Sequence, residues 1–174
     1  MLTVVRFVHY TGGAAWVGAT LIMAVVVFPV LDRVPGRARA AVMRVLASRA
    51  GLWQTVAGLV VIGSGAGEVL LDHRLDTGFA SLRTTWGTAI AVGLVCAVLM
   101  VILGIVALNP LARRLVVLED TIADDPERAD LNSRALGDVD EDWWHVRQQL
   151  LLGSVINVVL ALVAVFSMAV ARGA

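Results

Sequence analysis

The sequence predicts an all-α integral membrane protein: a four-helix bundle with both termini outside the cell and amphipathic segments on the cytoplasmic side. Composition is the first reason, because hydrophobic residues make up 59% of the 174 residues and charged residues only 16%. A soluble domain usually carries about 45–50% apolar and about 25% charged residues. The second reason is a set of four long stretches without Asp, Glu, Lys or Arg, at residues 7–31, 50–67, 84–112 and 148–171.

Each of these stretches is long enough, or nearly so, to cross a bilayer. A spanning helix needs about 20 mostly apolar residues, because the hydrocarbon is about 30 Å thick and a helix rises about 1.5 Å per residue. Helices are the only open-chain structure that satisfies its own backbone hydrogen bonds in lipid. We therefore expect one transmembrane domain over residues 1–174. Its helices should span about 2–31, 50–72, 84–118 and 140–171, with cytoplasmic connections at 32–49 and 119–139.

The distribution of arginine predicts the orientation, since the sequence contains no lysine. The first connection holds five arginines, at positions 33, 37, 39, 44 and 49, and the second adds Arg113, Arg114 and Arg147 close to the membrane. The opposite side has only Arg6, Arg74, Arg83 and Arg172. Cytoplasmic loops carry the excess of basic residues. Both connections should therefore be cytoplasmic, in a multi-pass membrane protein.

Local signals predict where the helices begin. Pro35 suits the first turn of a helix, and residues 37–50 alternate arginine with apolar residues at helical spacing, which indicates an amphipathic lead-in that lies on the inner membrane surface and runs into the second span. Residues 125–137 predict a short helix. Asp138, with Glu141 three residues later, predicts the capped start of the fourth helix. Tryptophan side chains, which favour the membrane–water interface, stand at the expected span ends: Trp53, Trp86, Trp143 and Trp144.

Polar residues inside a membrane are costly, so the few that occur there are candidates for function. One face of the first span carries His9, Gly13, Trp16, Thr20 and Met23. A matching face of the second span carries Gln54, Gly58, Val61, Gly65, Glu68 and Asp72. Small residues on these faces allow close helix packing and leave room for a flat ligand. The candidate cofactor-binding residues are therefore His9, Trp16, Gly13, Gly65 and Glu68.

The remaining polar residues in the spans have structural interpretations. Cys96 is expected to be a small buried hydrophobe, and Asn157 is expected to form an interhelical hydrogen bond. Three interpretations of Glu68 stay open: an ion-pair partner for Arg6 or Arg83, a proton- or metal-binding group, or an interfacial residue that extends toward water.

Topology separates the three histidines. His9 and His73 fall on the outer side, whereas His145 falls at the inner end of the fourth span. About 30 Å of hydrocarbon lies between the two sides, so His145 cannot share a metal with the other two in one subunit. A pair of bis-histidine haems would need four histidines and is excluded. The candidate metal ligands are His9 and His73, and the alternative for His9 is a packing histidine held by hydrogen bonds.

The first span also carries a motif. His9, Trp16, Gly18 and Pro29 read as H-x6-W-x-G-x10-P. This resembles the first helix of small bacterial four-helix membrane proteins of the copper-resistance CopD type and of HemJ-type protoporphyrinogen oxidases. The HemJ resemblance implies that His9 is associated with haem b, and the CopD resemblance implies copper handling. The HemJ-type pattern also has a lysine near the start of its third helix, where this chain reads T-T-W-G-T over residues 84–88.

Three functional hypotheses follow. The first is a b-type haem protein with a redox or electron-transfer role, whose haem lies near the outer face with His9 as an axial ligand. The second is handling of copper or another metal by the outer-side histidines, and the third is a non-catalytic membrane subunit or scaffold. The first and third hypotheses would each involve a binding partner, either a redox partner or a second copy of the chain. The formal net charge of +0 excludes a nucleic-acid binder driven by bulk positive charge. No catalytic residue can be assigned.

Overall fold

The computed structural model describes residues 1–71, 83–125, 127, 136 and 140–173. Four long helices account for nearly all of these residues: α1 (Leu2–Leu31), α2 (Gly36–Leu71), α3 (Thr85–Asp124) and α4 (Glu141–Gly173). Each is long and apolar enough to cross a membrane, and the described ranges contain no strand. The predicted all-α fold of membrane type is therefore confirmed.

The bundle carries apolar side chains on its outside as well as in its core. Buried side chains include the polar residues His9, Thr20, Asn157 and Ser167. Large apolar side chains cover the outside, and several are more than half exposed: Phe7, Leu52, Val106 and Phe166. Apolar surface of this extent marks contact with a membrane or with partner proteins. The distribution supports a multi-pass membrane protein whose lipid-facing surface is the apolar one.

The helices form two antiparallel hairpins. In the first hairpin α1 packs along α2, and in the second α3 packs along α4. The hairpins meet where α2 packs against the second half of α3. We call the two ends of the bundle the His9 end, where α1 begins and α4 terminates, and the Glu119 end, where α1 and α3 terminate.

The two faces predicted on the first and second spans do pack together, in one antiparallel register. Arg6 is hydrogen-bonded to Glu68. The imidazole of His9 lies against Gly65, and the indole of Trp16 lies against Gly58. The steps of three and then seven residues along α1, from Arg6 to His9 to Trp16, are matched by equal steps back along α2, which is the spacing of residues on one face of a helix.

The first helix of each hairpin contains one π-helical turn. The two turns span Met23–Val27 in α1 and Gly104–Leu108 in α3, and a proline follows each turn two residues later, Pro29 in α1 and Pro110 in α3. Proline has no N–H and its ring clashes with the carbonyl four residues earlier, so a regular α-helix is disfavoured at that point. The wider π turn lets both helices continue through the proline rather than end there.

The boundaries of two helices differ from those expected. The second helix begins at Gly36 instead of residue 50, so residues 37–50 run into the second span, as expected, and form one continuous helix α2 that extends toward the Glu119 end. Asp140, rather than Asp138, caps α4, because its Oδ1 accepts a hydrogen bond of 2.9 Å from the Trp143 N–H. Asp138 lies outside the described residues, as does most of the helix expected at 125–137.

The structure confirms the expected start of the third helix and the burial of Cys96, but it contradicts the expected position of Trp143. Helix α3 begins at Thr85, and Thr84 caps it by accepting a hydrogen bond of 3.1 Å from the Gly87 N–H. Cys96 is buried, as expected. Trp143 is not an interfacial side chain: only 1% of its surface is exposed. It is buried because its indole meets a charged cluster between the two hairpins.

Candidate functional site

His9 faces the interior of the bundle, at the point where α1, α2 and α4 meet. Only 6% of its surface is exposed. Its Nδ1 lies 2.9 Å from the Val61 carbonyl oxygen and 3.3 Å from Ser64 Oγ. Its Nε2 lies 3.3 Å from the sulfur of Met168 on α4. His9, which belongs to the sequence motif, thus contributes a ring nitrogen to this site. The fold places the thioether of Met168 beside that nitrogen.

The partners of Nδ1 determine the tautomer of the imidazole. A carbonyl oxygen can only accept a hydrogen bond, so the Nδ1 that contacts Val61 must carry the hydrogen. The Ser64 hydroxyl donates to the Val60 carbonyl over 2.6 Å, which leaves its oxygen available as a second acceptor for Nδ1–H. Neutral His9 therefore presents the lone pair of Nε2 on the side of Met168.

The contact between Nε2 and Met168 is consequently a contact between two electron-pair donors. A thioether sulfur has no hydrogen to give, and Nε2 of the neutral ring has none either. The two atoms lie 3.3 Å apart, and the imidazole is buried. Both atoms can bond to an electron-pair acceptor such as a metal cation.

The small residues of α2 make space for the two large side chains of α1. A Cβ atom added at Gly65 would lie 2.8 Å from Cε1 of His9, and one added at Gly58 would lie 2.8 Å from Cζ2 of Trp16. Both distances are shorter than van der Waals contact, so any larger residue would displace the ring. Gly13, by contrast, has open space around its added Cβ. Of the predicted small residues, Gly65 therefore shapes the His9 site and Gly13 does not contact it.

Trp16 and Glu68 flank the site without contributing a ligand to it. Trp16 is buried in an apolar cluster with Val61 and Met100. Glu68 accepts a hydrogen bond of 3.0 Å from Arg6 Nε and forms an ion pair with it. Of the three interpretations considered for Glu68, this contact is the ion pair with Arg6. The ion pair holds the first turns of α1 to the last turns of α2.

The other two histidines do not join His9 among the described residues. His145 is exposed near the start of α4, where its Nε2 lies 3.3 Å from Glu141. Its position at the opposite end of the bundle agrees with the separation predicted from topology. His73 lies outside the described residues, as does Asp72. Within the described ranges, no group of three or more His, Cys, Asp or Glu residues could hold a metal.

Haem was the cofactor expected at His9, and the closed packing does not fit it. A metal held between a nitrogen and a sulfur on its opposite sides separates them by about 4.3 Å, from bonds of about 2.0 and about 2.3 Å. Nε2 and the Met168 sulfur are only 3.3 Å apart, and α2 contacts the imidazole at Gly65. A macrocycle between these two atoms would require α1 and α4 to separate.

A second group of buried polar side chains lies at the Glu119 end. Arg39 on α2 and Glu119 on α3 form an ion pair of 2.6 Å, with side chains only 3% and 0% exposed. The indole Nε1 of Trp143 donates to the same carboxylate oxygen over 2.8 Å, and the Arg39 guanidinium lies over the Trp143 ring, 5.1 Å from its centroid. Apolar side chains enclose the group, among them Leu31, Met43 and Leu136.

Three ion pairs at this end join the first hairpin to the second. Besides Arg39–Glu119 they are Arg44–Asp120, at 2.6 Å, and the pair of Arg147 with Asp32. The Arg147 guanidinium approaches both oxygens of the Asp32 carboxylate. Charge composition alone could not reveal this group, because Glu119 and Arg39 lie among many charged residues of the connections. The apolar residues that follow each of them at helical spacing are the signal that could have found it.

The packing of Gly65 gives a test of the site's geometry. We expect Gly65→Ala to lower the free energy of unfolding by about 1–3 kcal/mol, the usual cost of overpacking, because its Cβ would meet the His9 ring. Gly63→Ala on the same helix meets open space and should leave stability unchanged or slightly higher, since glycine weakens a helix. Thermal unfolding in detergent compares the two; equal midpoints would contradict the close approach of His9.

Comparison with known proteins gives no match: no protein-family model, no curated protein and no solved structure resembles this chain significantly.

Proposed function

We propose that this protein is a multi-pass membrane protein that binds a single soft metal ion, Cu(I), through Nε2 of His9 and the sulfur of Met168. The observation that carries the proposal is the 3.3 Å contact between these two electron-pair donors beside a buried imidazole. Thioether and imidazole ligands together suit Cu(I), since soft sulfur ligands select that ion among the first-row metals. The function is then the handling of copper at one side of the membrane.

The chain's own residues would divide the work between binding and orientation. Val61 and Ser64 hold the Nδ1–H and so direct Nε2 toward Met168. Such outer contacts fix the tautomer and the ring orientation of a metal-binding histidine. The separation of 3.3 Å between Nε2 and the Met168 sulfur is about 1 Å shorter than two ligands of these kinds need on opposite sides of one ion, so Met168 would have to move outward on loading. Moving one side chain is a smaller rearrangement than the separation of α1 and α4 that haem would require.

Haem b is the second candidate, because histidine with methionine is also a pair of axial ligands found in haem proteins. Here the two residues lie on facing helices, α1 and α4. This candidate adds the requirement that α1 and α4 separate to admit the macrocycle.

The proposal includes an orientation with the His9 end outside a bacterial inner membrane and the Glu119 end in the cytoplasm. The exposed arginines at the Glu119 end support it, because positive charge is retained on the cytoplasmic side. They are Arg33, Arg37, Arg44, Arg49, Arg113 and Arg114. The metal site would then be accessible from the outer side, near the first turns of α1.

The experiment is metal loading of the purified protein in detergent. Protein from cells supplied with both copper and haem should contain one copper per chain by elemental analysis. Under a reductant, it should compete with a chromophoric Cu(I) chelator. Iron in equal amount, with an intense Soret absorbance, would decide for haem instead. Protein free of both metals, and unable to take up Cu(I), would refute a metal function and favour the scaffold hypothesis.

A further inference from the structure

A cavity of about 80 Å³ lies between the two hairpins, separated from the His9 site by Trp16. All four helices contribute to its wall. Five uncharged polar side chains line it: Thr20, Gln54, Asn109, Ser154 and Asn157. No charged side chain is among the described residues that line it. Its apolar wall includes Phe28, Met43 and Leu150, which also border the charged cluster at the Glu119 end.

Asn157 is the residue that points to a ligand. It is 96% buried, since only 4% of its surface is exposed. Its Oδ1 has no hydrogen-bond partner among the described residues, so the interhelical hydrogen bond expected from the sequence is not formed. Buried polar atoms are almost always paired with protein groups or with ordered water. Asn157 is also one of the residues that line the cavity, so a buried amide oxygen without a donor at this position points to a donor supplied from outside the chain.

The hydroxyl groups of the lining reinforce this requirement. Thr20 Oγ1 donates to the Trp16 carbonyl over 3.0 Å, and Ser154 Oγ donates to the Leu150 carbonyl over 2.8 Å. Both hydroxyl hydrogens are thus committed to the helix backbone, and the oxygens retain lone pairs as acceptors. The amide groups of Gln54, Asn109 and Asn157 both donate and accept, so the uncharged lining suits a neutral molecule with O–H or N–H groups.

The two π turns form part of the same cavity. Met23 and Ala24 belong to the turn in α1, and Leu108 belongs to the turn in α3. A π turn inserts one extra residue and widens the helix locally, a distortion that recurs at functional sites. Both hairpins therefore place their irregular turn at one level of the bundle, and the space between them is the cavity.

We propose that this cavity is a binding site for a small neutral molecule with hydroxyl or amide N–H donors, water included, which hydrogen-bonds to Oδ1 of Asn157. Its size suits a few waters or one solute of a few heavy atoms, since a cavity needs about 10–15 Å³ to hold each water. The site does not depend on the metal proposed at His9. Water and a solute share the same chemistry and are distinguished below.

The test uses cysteine reactivity in proteoliposomes, in the full chain with Cys96→Ala. A thiol reacts as its thiolate, which forms only in a hydrated environment. Ser154→Cys places the thiol in the cavity, and Val155→Cys places it on the lipid-facing surface, where Val155 is 57% exposed. We expect the neutral reagent methyl methanethiosulfonate to modify Ser154→Cys at least about 10-fold faster than Val155→Cys.

An added solute and the variant Asn157→Leu distinguish water from a solute as the ligand of the cavity. If urea, formamide or glycerol slows the modification of Ser154→Cys, and adding Asn157→Leu abolishes that protection, the site takes such a solute. If no solute protects but Asn157→Leu slows the modification, the ligand is water. Equal rates for Ser154→Cys and Val155→Cys would show a dry cavity and overturn the proposal. A fast reaction that Asn157→Leu leaves unchanged, in rate and in protection, would overturn it too.

Should Ser154→Cys prove unstable, Ala47→Cys carries the same test from α2. Ala47 also lines the cavity, whereas Val45 on the same helix is exposed and gives the matched control Val45→Cys. The two pairs lie on different hairpins, so agreement between them would exclude a local distortion as the source of reactivity.

Discussion

Glu119→Ala is expected to lower the free energy of unfolding by about 3–5 kcal/mol, the cost of removing one member of a buried ion pair. The reason is the guanidinium of Arg39, which is 3% exposed and would lose the carboxylate 2.6 Å away. Trp143 would lose its acceptor as well. Unfolding in detergent, followed by circular dichroism against temperature or denaturant, measures the change.

Two further variants separate the stranded charge from other causes. Asp120→Ala removes the adjacent carboxylate, which pairs with an exposed arginine, and should change stability little, because exposed ion pairs contribute little. The double variant Arg39→Met with Glu119→Leu removes both charges, and it should recover most of the lost stability. If the double variant is as unstable as Glu119→Ala, the loss comes from packing or from the Trp143 hydrogen bond.

Met168→Leu is expected to weaken Cu(I) binding by more than about 10–100-fold, since even the loss of an outer-shell partner costs that much in metal affinity. Leucine is close to methionine in volume, so packing against His9 should be retained with little loss of stability. The variant thus removes the sulfur as a ligand and little else. Competition against a Cu(I) chelator measures the affinity.

The controls use other methionine and histidine positions. Met100→Leu changes a more deeply buried methionine that lies away from His9, and it should leave copper affinity unchanged. His9→Ala should abolish binding, whereas His145→Ala, at an exposed histidine, should not affect it. Unchanged affinity in Met168→Leu would mean that the sulfur is not a ligand, and the proposed site would then be wrong.

The two ends of the bundle use buried polar groups in different ways. At the Glu119 end, Arg39 and Trp143 both donate to Oε1 of Glu119 and tie the hairpins together, while Oε2 of Glu119 has no hydrogen-bond partner among the described residues. At the His9 end, Nε2 of the neutral ring and the Met168 sulfur are both electron-pair donors and lie 3.3 Å apart. The first group pairs opposite charges within the chain, whereas two electron-pair donors can share a cation, and this contrast is why the metal site is proposed at His9.

The membrane character, the four helices and the inward face of α1 could all be predicted from the amino-acid sequence. Composition and the length of the uncharged stretches suffice for the first two, because a helix in lipid must satisfy its own backbone and cover about 30 Å. The spacing of His9 and Trp16, and the matching spacing of Gly58 and Gly65, suffices for the packing of α1 on α2. Each of these depends on residues within one helix or on two neighbouring helices.

Contacts between residues that lie far apart in the sequence could be recognised only in the folded bundle. Met168 reaches His9 across 159 positions of sequence, and Glu119 reaches Arg39 across 80. Periodicity shows which face of a helix is buried but not the rotation or height at which a non-adjacent helix meets it. For the same reason Asn157 was assigned an interhelical hydrogen bond that its Oδ1 does not form among the described residues. The contacts of α4 are set by the packing of the whole bundle, and sequence spacing within one helix carries no information about them.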